Sequence, residues 1–350
     1  MISPPPFQIT IVIPVLNDLD PLRRLLDDLC NQHGIAPQIL IADGQTDSSL
    51  QRKLSYPELD LHILDVPPGR ARQMNRATSC AAHQTLLFLH ADSRLPSPHT
   101  LAHAIEAWHQ RLASLSHRRL AGHFPLHFVD APAHDRSLRE YLESKTHLNR
   151  RGTFNGDQGL LIDAAFFQEL GGFDESLPFM EDQRLSRQIH DCGQWMTLPG
   201  LLHTSWRRFT DEGAWRRYAL MAVIAGADAA SYRSFFDAID DLYRPQHDAD
   251  QLPLAAIMAQ TRQLTLQQSP PDQLRLLRDV GDFVRQNTWQ LFHLFDHHHD
   301  TEGQALAFFD DHLAPLFRSP GLDYLAGILT YITIFAILPA ADVLTRPSSQ

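Results

Sequence analysis

Lysine and cysteine are scarce in this chain, and acidic residues outnumber basic ones. Of the 350 residues only Lys53 and Lys145 are lysines, and the formal net charge is −11. That balance argues against a general binder of nucleic acid or of anionic membranes. The basic side chains are therefore almost all arginines, whose planar fork suits phosphate groups, although a codon bias would produce the same skew.

The three cysteines, Cys30, Cys80 and Cys192, are scattered and have neither metal-type nor redox-type spacing. We interpret them as small buried hydrophobic residues in a reducing compartment. Residues 1–6 lack the basic segment and the apolar core of a signal peptide, so a cytoplasmic location is expected.

Long uncharged apolar runs are also rare, and the exception lies near the C-terminal end. Residues 324–341 carry no charge and are rich in Ile, Leu and Ala, but Pro339 interrupts the run. A spanning helix needs about 20 apolar residues. Burial against other helices or contact with a membrane surface therefore fits this segment better than a true span.

Apolar strand-like runs alternate with helical patterns along the first part of the chain, which predicts βαβ units and a mostly parallel sheet. Beyond about residue 230 only helix-like segments follow. We therefore predict an α/β domain over 7–230 and an α-helical C-terminal region over 231–350. The predicted strands are 8–15, 38–42, 62–66, 86–89, 122–129 and 156–162.

Two aspartates follow apolar strands directly, Asp43 after Ile39–Ala42 and Asp92 after Leu86–Ala91. Ligands of open α/β sheets bind beyond the carboxyl ends of the strands, so both carboxylates are expected at one site. Magnesium or manganese takes one or two protein carboxylates plus phosphate oxygens, which suits a metal-bridged nucleotide. An ordinary turn or a helix cap is the structural alternative for each aspartate.

Four further segments contain side chains that could bind an anion, act as a base or bind a metal. Gly69–Asn75 places arginines at a helix start, where anions bind, and 203–209 interleaves arginines with aromatic residues. Glu181 and Asp182 follow an apolar pair and offer a base with a raised pKa. Solvated arginines and an acidic helix start are the alternatives. The histidines at 293 and 297–299 are interpreted as a polar helix end.

Val12–Asp18, Ala42–Gly44, Leu89–Asp92 and Met180–Asp182, taken together, resemble family 2 glycosyltransferases of the GT-A fold. More narrowly, the chain is similar to a bacterial subgroup labelled radical-SAM/selenium-domain-associated transferase 2. The likeness covers about residues 7–230. It implies a nucleotide-sugar donor, a divalent metal (Mg²⁺ or Mn²⁺) and inverting transfer to an acceptor hydroxyl, and leaves sugar, base, acceptor and oligomeric state open.

The resemblance also implies roles for individual residues. Asp92 would hold the metal, and Asp182 would be the base that takes the acceptor proton. Asp157, Gln158 and Glu181 would lie on the acceptor side. The nucleotide side would be formed by Pro14, Asn17, Asp43, Arg70, Arg72, Asn75, Arg207 and Arg208.

Three residues depart from the family pattern. His90 stands where many members have a first aspartate, Asp18 replaces a glutamate, and Gln45 replaces a glycine or serine. A sugar-phosphate nucleotidyltransferase is the alternative enzyme, but it would need a glycine-rich basic loop after the first strand. A non-catalytic nucleotide-sugar-binding or scaffold protein is the alternative from another class.

Overall fold

The computed structural model describes residues 5–45, 49–177, 179–242, 252–317 and 320–340. The chain forms two compact units. The first comprises residues 1–131 and 142–206, and the second comprises residues 132–141 and 207–350. The helical part of the chain thus separates at residue 207, whereas the sequence places the boundary near 230.

The strands are β1 Phe7–Val15, β2 Ile35–Asp43, β3 Asp60–Asp65, β4 Thr85–Phe88, β5 Leu120–His123, β6 Leu126–Val129, β7 Leu160–Asp163, β8 Gln194–Thr197 and β9 Leu202–Ser205. The helices are α1 Leu19–Cys30, α2 Ser49–Lys53, α3 Arg70–Thr78, α4 Thr100–Ala113, α5 Arg136–Lys145, α6 Ala164–Glu169, α7 Glu181–Cys192, α8 Arg207–Glu212, α9 Ala214–Ala229, α10 Arg233–Leu242, α11 Leu254–Gln267, α12 Pro270–Gln286, α13 Trp289–His299, α14 Gln304–Phe308 and α15 Pro320–Ile332. Short 3₁₀ turns lie at Ala133–Asp135 and Gly156–Gln158, and π-helical turns lie at Phe309–Leu313 and Thr333–Ile337.

The first unit is built on a seven-stranded sheet with the order β3-β2-β1-β4-β7-β5-β8. β1 pairs in parallel with β2 and β4, and β2 pairs in parallel with β3. β7 runs antiparallel to both of its neighbours. A separate pair, β6 and β9, is parallel. The prediction of an α/β fold with a mostly parallel sheet, flanking helices and a helical C-terminal region is confirmed.

Apolar side chains decide which surfaces of the helices are buried. Leu22, Leu25, Leu26 and Leu29 of α1 recur at helical spacing, and all four are buried. On α3, Met74 and Ala77 join a core cluster with strand residues such as Val12, Leu40 and Leu86. This packing fixes the start of α3 beside the carboxyl ends of β1 and β2.

Two of the predicted strands are wrong in extent, for backbone reasons. The segment 122–129 forms β5 and β6, which belong to different sheets. Pro125 lies between them and has no N–H for a sheet ladder. The predicted strand 156–162 begins with a 3₁₀ turn, and β7 starts only after Gly159, whose φ is +65°.

The prediction that the cysteines are buried is also wrong. Cys80 and Cys192 are exposed, and Cys30 is partly exposed. Cys80 lies just after the end of α3, and Cys192 is the last residue of α7, so neither position faces a core.

The histidine-rich end of α13, in the second unit, includes a carboxylate with a structural role. Asp296 is buried, and its carboxylate accepts hydrogen bonds from the N–H groups of Ala305, at 2.8 Å, and Leu306, at 2.7 Å. It therefore caps the next helix. Within the described ranges, no group of three or more His, Cys, Asp or Glu side chains could hold a metal ion.

Asp163 offers a stability test of the first unit. It is buried, it caps α6 through hydrogen bonds from Ala165 and Phe166, and its second oxygen accepts from Arg118 at 2.6 Å. Because Asp163→Ala removes the cap, we expect it to lower the free energy of unfolding by about 1–2 kcal/mol in urea denaturation.

Asp163→Asn is the matched control, because its amide oxygen still caps the helix while the ion pair with the 62% exposed Arg118 is lost. A smaller loss than in the Ala variant is expected, because the cap remains and only the contact with Arg118 is lost. An Asn variant as unstable as the Ala variant would assign the effect to the ion pair.

Candidate active site

The carboxyl ends of β1, β2 and β3 meet in register at one edge of the sheet. Val15 is paired with Asp43, and Asp43 is paired with Asp65. Asp43 is 1% exposed, and its Oδ1 accepts a hydrogen bond from the Gln45 N–H at 2.9 Å. This carboxylate thus organises the turn that follows β2, in agreement with its expected place at a strand end.

Asn17 and Gln45 close this edge from two different turns. Asn17 has a φ of +62°, a left-handed conformation that asparagine tolerates better than most residues. The Gln45 side-chain amide donates a hydrogen bond to Asn17 Oδ1. Gln45, which departs from the family pattern, therefore links the turns after β1 and β2. Pro14 lies on the same strand end, paired with Ala42.

Gln73 is a residue that sequence reasoning missed. It is buried on α3, and its Nε2 donates to the carbonyl oxygens of Val15, at 2.9 Å, and Ala42, at 2.7 Å. It thereby satisfies carbonyl groups at the ends of β1 and β2 and fixes α3 against them. The available signal was a polar residue on the buried face of a helix, four positions before Ala77.

An acidic centre lies at the start of α7. Met180, the residue before the helix, has a φ of +73°, which is an outlier for such a side chain. Met180 is followed by Glu181 and Asp182, which lie in the first turn of α7. Asp182 accepts two backbone hydrogen bonds of 2.7 Å, Oδ2 from the Gly156 N–H and Oδ1 from the Gln183 N–H.

Arg70, at the start of α3, reaches this acidic centre. Its Nε donates to Glu181, whose side chain is 2% exposed, and its Nη1 lies 3.5 Å from His90 Nε2. His90 Nδ1 in turn lies 2.6 Å from Asp157 Oδ1. The structure thus brings together side chains from the segment after β4, from α3, from α7 and from the turn before β7. These are Arg70, His90, Asp157, Glu181 and Asp182, which we call the acidic cluster.

Gly156 lies at the middle of the acidic cluster, and a larger residue would not fit. A Cβ atom there would lie 2.9 Å from His90 Nε2 and 3.1 Å from Asp182 Oδ2. The absence of a side chain lets the Gly156 N–H approach the carboxylate.

Charge and burial in the acidic cluster act on Asp182 in opposite directions. Burial raises the pKa of Asp182, and the neighbouring carboxylate of Glu181 raises it further. The Arg70 guanidinium and the two backbone N–H groups lower it, but the net shift is upward. Burial disfavours the charge on Arg70, yet Glu181 and Asp182 outweigh it and raise the pKa of Arg70.

Asp92 ends the stretch after β4, where its side chain is half-buried. The turn is closed by the Ser93 N–H, which donates to the His90 carbonyl at 3.1 Å. A Mg²⁺ or Mn²⁺ ion that shares substrate phosphates needs only one or two protein carboxylates. No group of three or more metal-ligating side chains lies among the described residues, so Asp92 would offer such an ion one carboxylate rather than a cage built by the protein.

Other predicted site residues have contacts elsewhere in the first unit. Asn75 Nδ2 donates to the carbonyl of Phe173 at 2.8 Å, and its Oδ1 accepts from the Phe173 N–H at 2.9 Å. Arg72 Nε lies 3.5 Å from Glu175. Both side chains therefore hold the 173–175 segment. Arg207 and Arg208 begin α8 in the second unit.

Gln158 differs most from its expected acceptor-side role. Its side chain is 0% exposed, and its Nε2 lies 2.8 Å from His123 Nδ1. Its Oε1 accepts from the Asn155 N–H at 2.8 Å. With both ends of the amide bonded inside the protein, Gln158 shapes the turn that carries Gly156 and Asp157. Burial thus gives Gln158 a structural role in place of the expected acceptor-side role, and the polar sequence around it gives no sign of that burial.

Comparison with known proteins gives one family match. Residues 10–163 match the family described as Glycosyl transferase family 2. No curated protein matches the chain.

Similar solved structures include a mannosyltransferase, PcManGT from Pyrobaculum calidifontis, in complex with GDP-Man and Mn²⁺. It is 16% identical, with a TM-score of 0.48 over 97% of this chain and 88% of that one. S. aureus TarS 1–349 in complex with UDP is 16% identical, with a TM-score of 0.48 over 96% of this chain and 92% of that one. TarS 1–349 with UDP-GlcNAc is 15% identical, with the same TM-score and coverage.

Two substitutions should move the pKa of Asp182 in opposite directions. Glu181→Gln removes a neighbouring negative charge but keeps an oxygen for Arg70, so the Asp182 pKa should fall. Arg70→Gln removes a positive charge, so that pKa should rise further. Carbon-13 NMR titration of the Asp182 carboxyl group in each variant measures both shifts. Shifts of the same sign would contradict the charge arrangement described here.

Proposed function

We propose that the protein, whose residues 10–163 match the family described as Glycosyl transferase family 2, is a glycosyltransferase that transfers a sugar from a nucleotide-sugar donor to an acceptor hydroxyl with inversion and with help from a divalent metal. The observation that carries this proposal is the acidic cluster. In this cluster a carboxylate with a raised pKa, Asp182, lies beside the partly exposed guanidinium of Arg70, which pairs with the buried Glu181.

On the donor side, the edge formed by β1 and β2 supports a nucleoside site. Pro14, Asn17 and Asp43 lie at the ends of these strands, where ligands of open α/β sheets bind. The diphosphate contacts proposed for Arg207 and Arg208 rest on the sequence pattern alone. Arg72 and Asn75 hold the 173–175 segment, so their place on the nucleotide side likewise rests on the sequence pattern.

A metal ion bound with the donor would be held by Asp92 and would supply positive charge to the departing diphosphate. The half-buried position of Asp92, in the turn that follows the buried strand β4, supports this assignment. Arg70 adds a second positive charge, which belongs to the protein itself. Its contacts with Glu181 and His90 hold the guanidinium in one orientation.

On the acceptor side, Asp182 takes the proton of the attacking hydroxyl at its carboxylate. The raised pKa makes this carboxylate a stronger base than an exposed aspartate. The backbone hydrogen bonds from Gly156 and Gln183 fix its orientation. Asp157 joins the acidic cluster through its contact with His90. We assign it to the acceptor side together with Asp182.

Asp182→Asn should separate catalysis from donor binding. The amide keeps the shape, and its one oxygen can still accept one of the two backbone hydrogen bonds, but it cannot take a proton. We expect kcat to fall about 10²–10⁴-fold, while calorimetry shows unchanged donor affinity.

Asp191→Asn, on the same helix, is the matched control for Asp182→Asn. Its carboxylate is 62% exposed and pairs with Arg151, away from the acidic cluster. It should keep wild-type turnover. Full activity of Asp182→Asn would remove the proposed base.

Asp92→Ala should act on donor binding instead. Calorimetry of the nucleotide-sugar with and without Mn²⁺ should show that the metal strengthens binding to the wild type and has little effect on the variant. Asp60→Ala, at the opposite end of β3 and 65% exposed, is the control and should keep the metal effect. An Asp92→Ala protein with an undiminished metal effect would move the metal site elsewhere.

The donor class can be identified with a thermal-shift screen of nucleotides and nucleotide-sugars, with and without Mn²⁺. A ligand that binds only the folded protein raises its melting temperature. Donor binding without turnover of any acceptor mixture would favour the non-catalytic binding protein. Release of pyrophosphate from a nucleoside triphosphate and a sugar phosphate would favour the nucleotidyltransferase.

A further inference from the structure

The last described helix is exposed although it is apolar. α15 continues through the π-helical turn Thr333–Ile337 to residue 340. Over Gly321–Ala340 the mean hydropathy is 1.7, and 11% of the window is buried. It is the one helix within the described ranges that is long and apolar enough to cross a membrane, judged by length and composition.

The surface that this helix presents to solvent is apolar along its described length. Residues 324–340 include no charged side chain. A helix on the surface of a soluble domain normally shows the reverse pattern, with polar residues outside. The exposed large apolar residues are Tyr324 at 41%, Leu325 at 53%, Ile328 at 47%, Leu329 at 57%, Ile332 at 48% and Ile337 at 56%. The structure therefore contradicts the expectation that this segment is buried against other helices.

The opposite side of the helix is already filled by α12. A Cβ on Gly327 would lie 2.1 Å from the Leu277 carbonyl oxygen, and a Cβ on Gly281 would lie 1.7 Å from the Asp323 carbonyl oxygen. The two helices therefore touch backbone to backbone and run antiparallel. Asp323 is buried and accepts from Arg285 Nε at 2.5 Å. α12 therefore does not cover the exposed apolar side of this helix.

The two threonine hydroxyl groups on this helix are satisfied within it. Thr330 Oγ1 donates to the Ala326 carbonyl at 2.8 Å, and Thr333 Oγ1 donates to the Leu329 carbonyl at 2.9 Å. Hydrocarbon offers no partners for polar groups, so internal satisfaction is what a lipid environment requires. Protein interfaces, in contrast, carry a polar rim and about one hydrogen bond per 100–200 Å².

α12 differs sharply from its neighbour, because it is rich in charge. The side chains of Arg275 and Arg278 are 65% and 50% exposed, and they pair with Asp272 and Asp279. Charges are unfavourable inside hydrocarbon. If α15 crossed a bilayer, α12 would be drawn in beside it, so an orientation in the plane of the membrane is favoured over a span.

We propose that Gly321–Ala340 docks on a lipid bilayer as an in-plane anchor. Its exposed apolar side enters the acyl chains, and α12 stays on the aqueous side. Apolar burial drives the association, so no anionic headgroup is needed. This matches the acidic net charge of −11, which would oppose attraction to an anionic surface.

Flotation of the full chain with neutral phosphatidylcholine vesicles tests the anchor. The wild type should float with the vesicles at both 0.15 and about 1 M NaCl, because apolar burial is not screened by salt. Leu329→Glu places a charge in the apolar surface and should lower the bound fraction about tenfold or more. Leu329→Met keeps the surface apolar and should bind like the wild type.

Leu201→Glu, at a 39% exposed leucine of the first unit, is the positional control and should float normally. Circular dichroism melting confirms that each variant is folded. A wild type that stays at the bottom of the gradient, or a Leu329→Glu protein that floats fully, would overturn the proposal. Sedimentation showing a lipid-free dimer that Leu329→Glu dissociates, without flotation, would assign this surface to a second copy instead.

Discussion

The ion pair between Arg70 and Glu181 is the contact on which the candidate site depends. These residues are 111 positions apart, and the Glu181 side chain is 2% exposed. A buried carboxylate is strongly unfavourable without a cation, so the start of α7 is stable in this place only beside the start of α3. Asp182 is the next residue and is brought to His90 and Gly156 by the same contact.

Local strain concentrates around this pair. Met180 adopts a left-handed conformation, which costs on the order of 1–3 kcal/mol for an ordinary side chain. Gly156 packs so closely against His90 and Asp182 that no side chain fits. Such features persist only where surrounding contacts stabilise them, and here the hydrogen bonds of Asp182 and the Arg70 ion pair do so. The unusual feature of the first unit is thus a strained backbone, whereas that of the second unit is an exposed apolar surface.

Much of the fold was predictable, because alternation of apolar strands and amphipathic helices depends on local periodicity. The strand end at Asp43 and the acidic start of α7 were found in this way, whereas β4 ends at Phe88 and leaves Asp92 in the turn that follows. The errors arose where the backbone departs from local pattern. Pro125 divides a continuous apolar run between two sheets, and Gln158 lies in a polar loop although its side chain is buried.

The sequence by itself determined which residues could carry charge at the ends of strands and helices, and which late segment is apolar. Only the tertiary structure decided that Arg70 meets Glu181, that Gln73 fixes the strand ends, and that the apolar helix faces outward. The reason is physical. Periodicity specifies the face of one element, whereas pairing across long sequence separations depends on how all elements pack and on which buried charges must be neutralised.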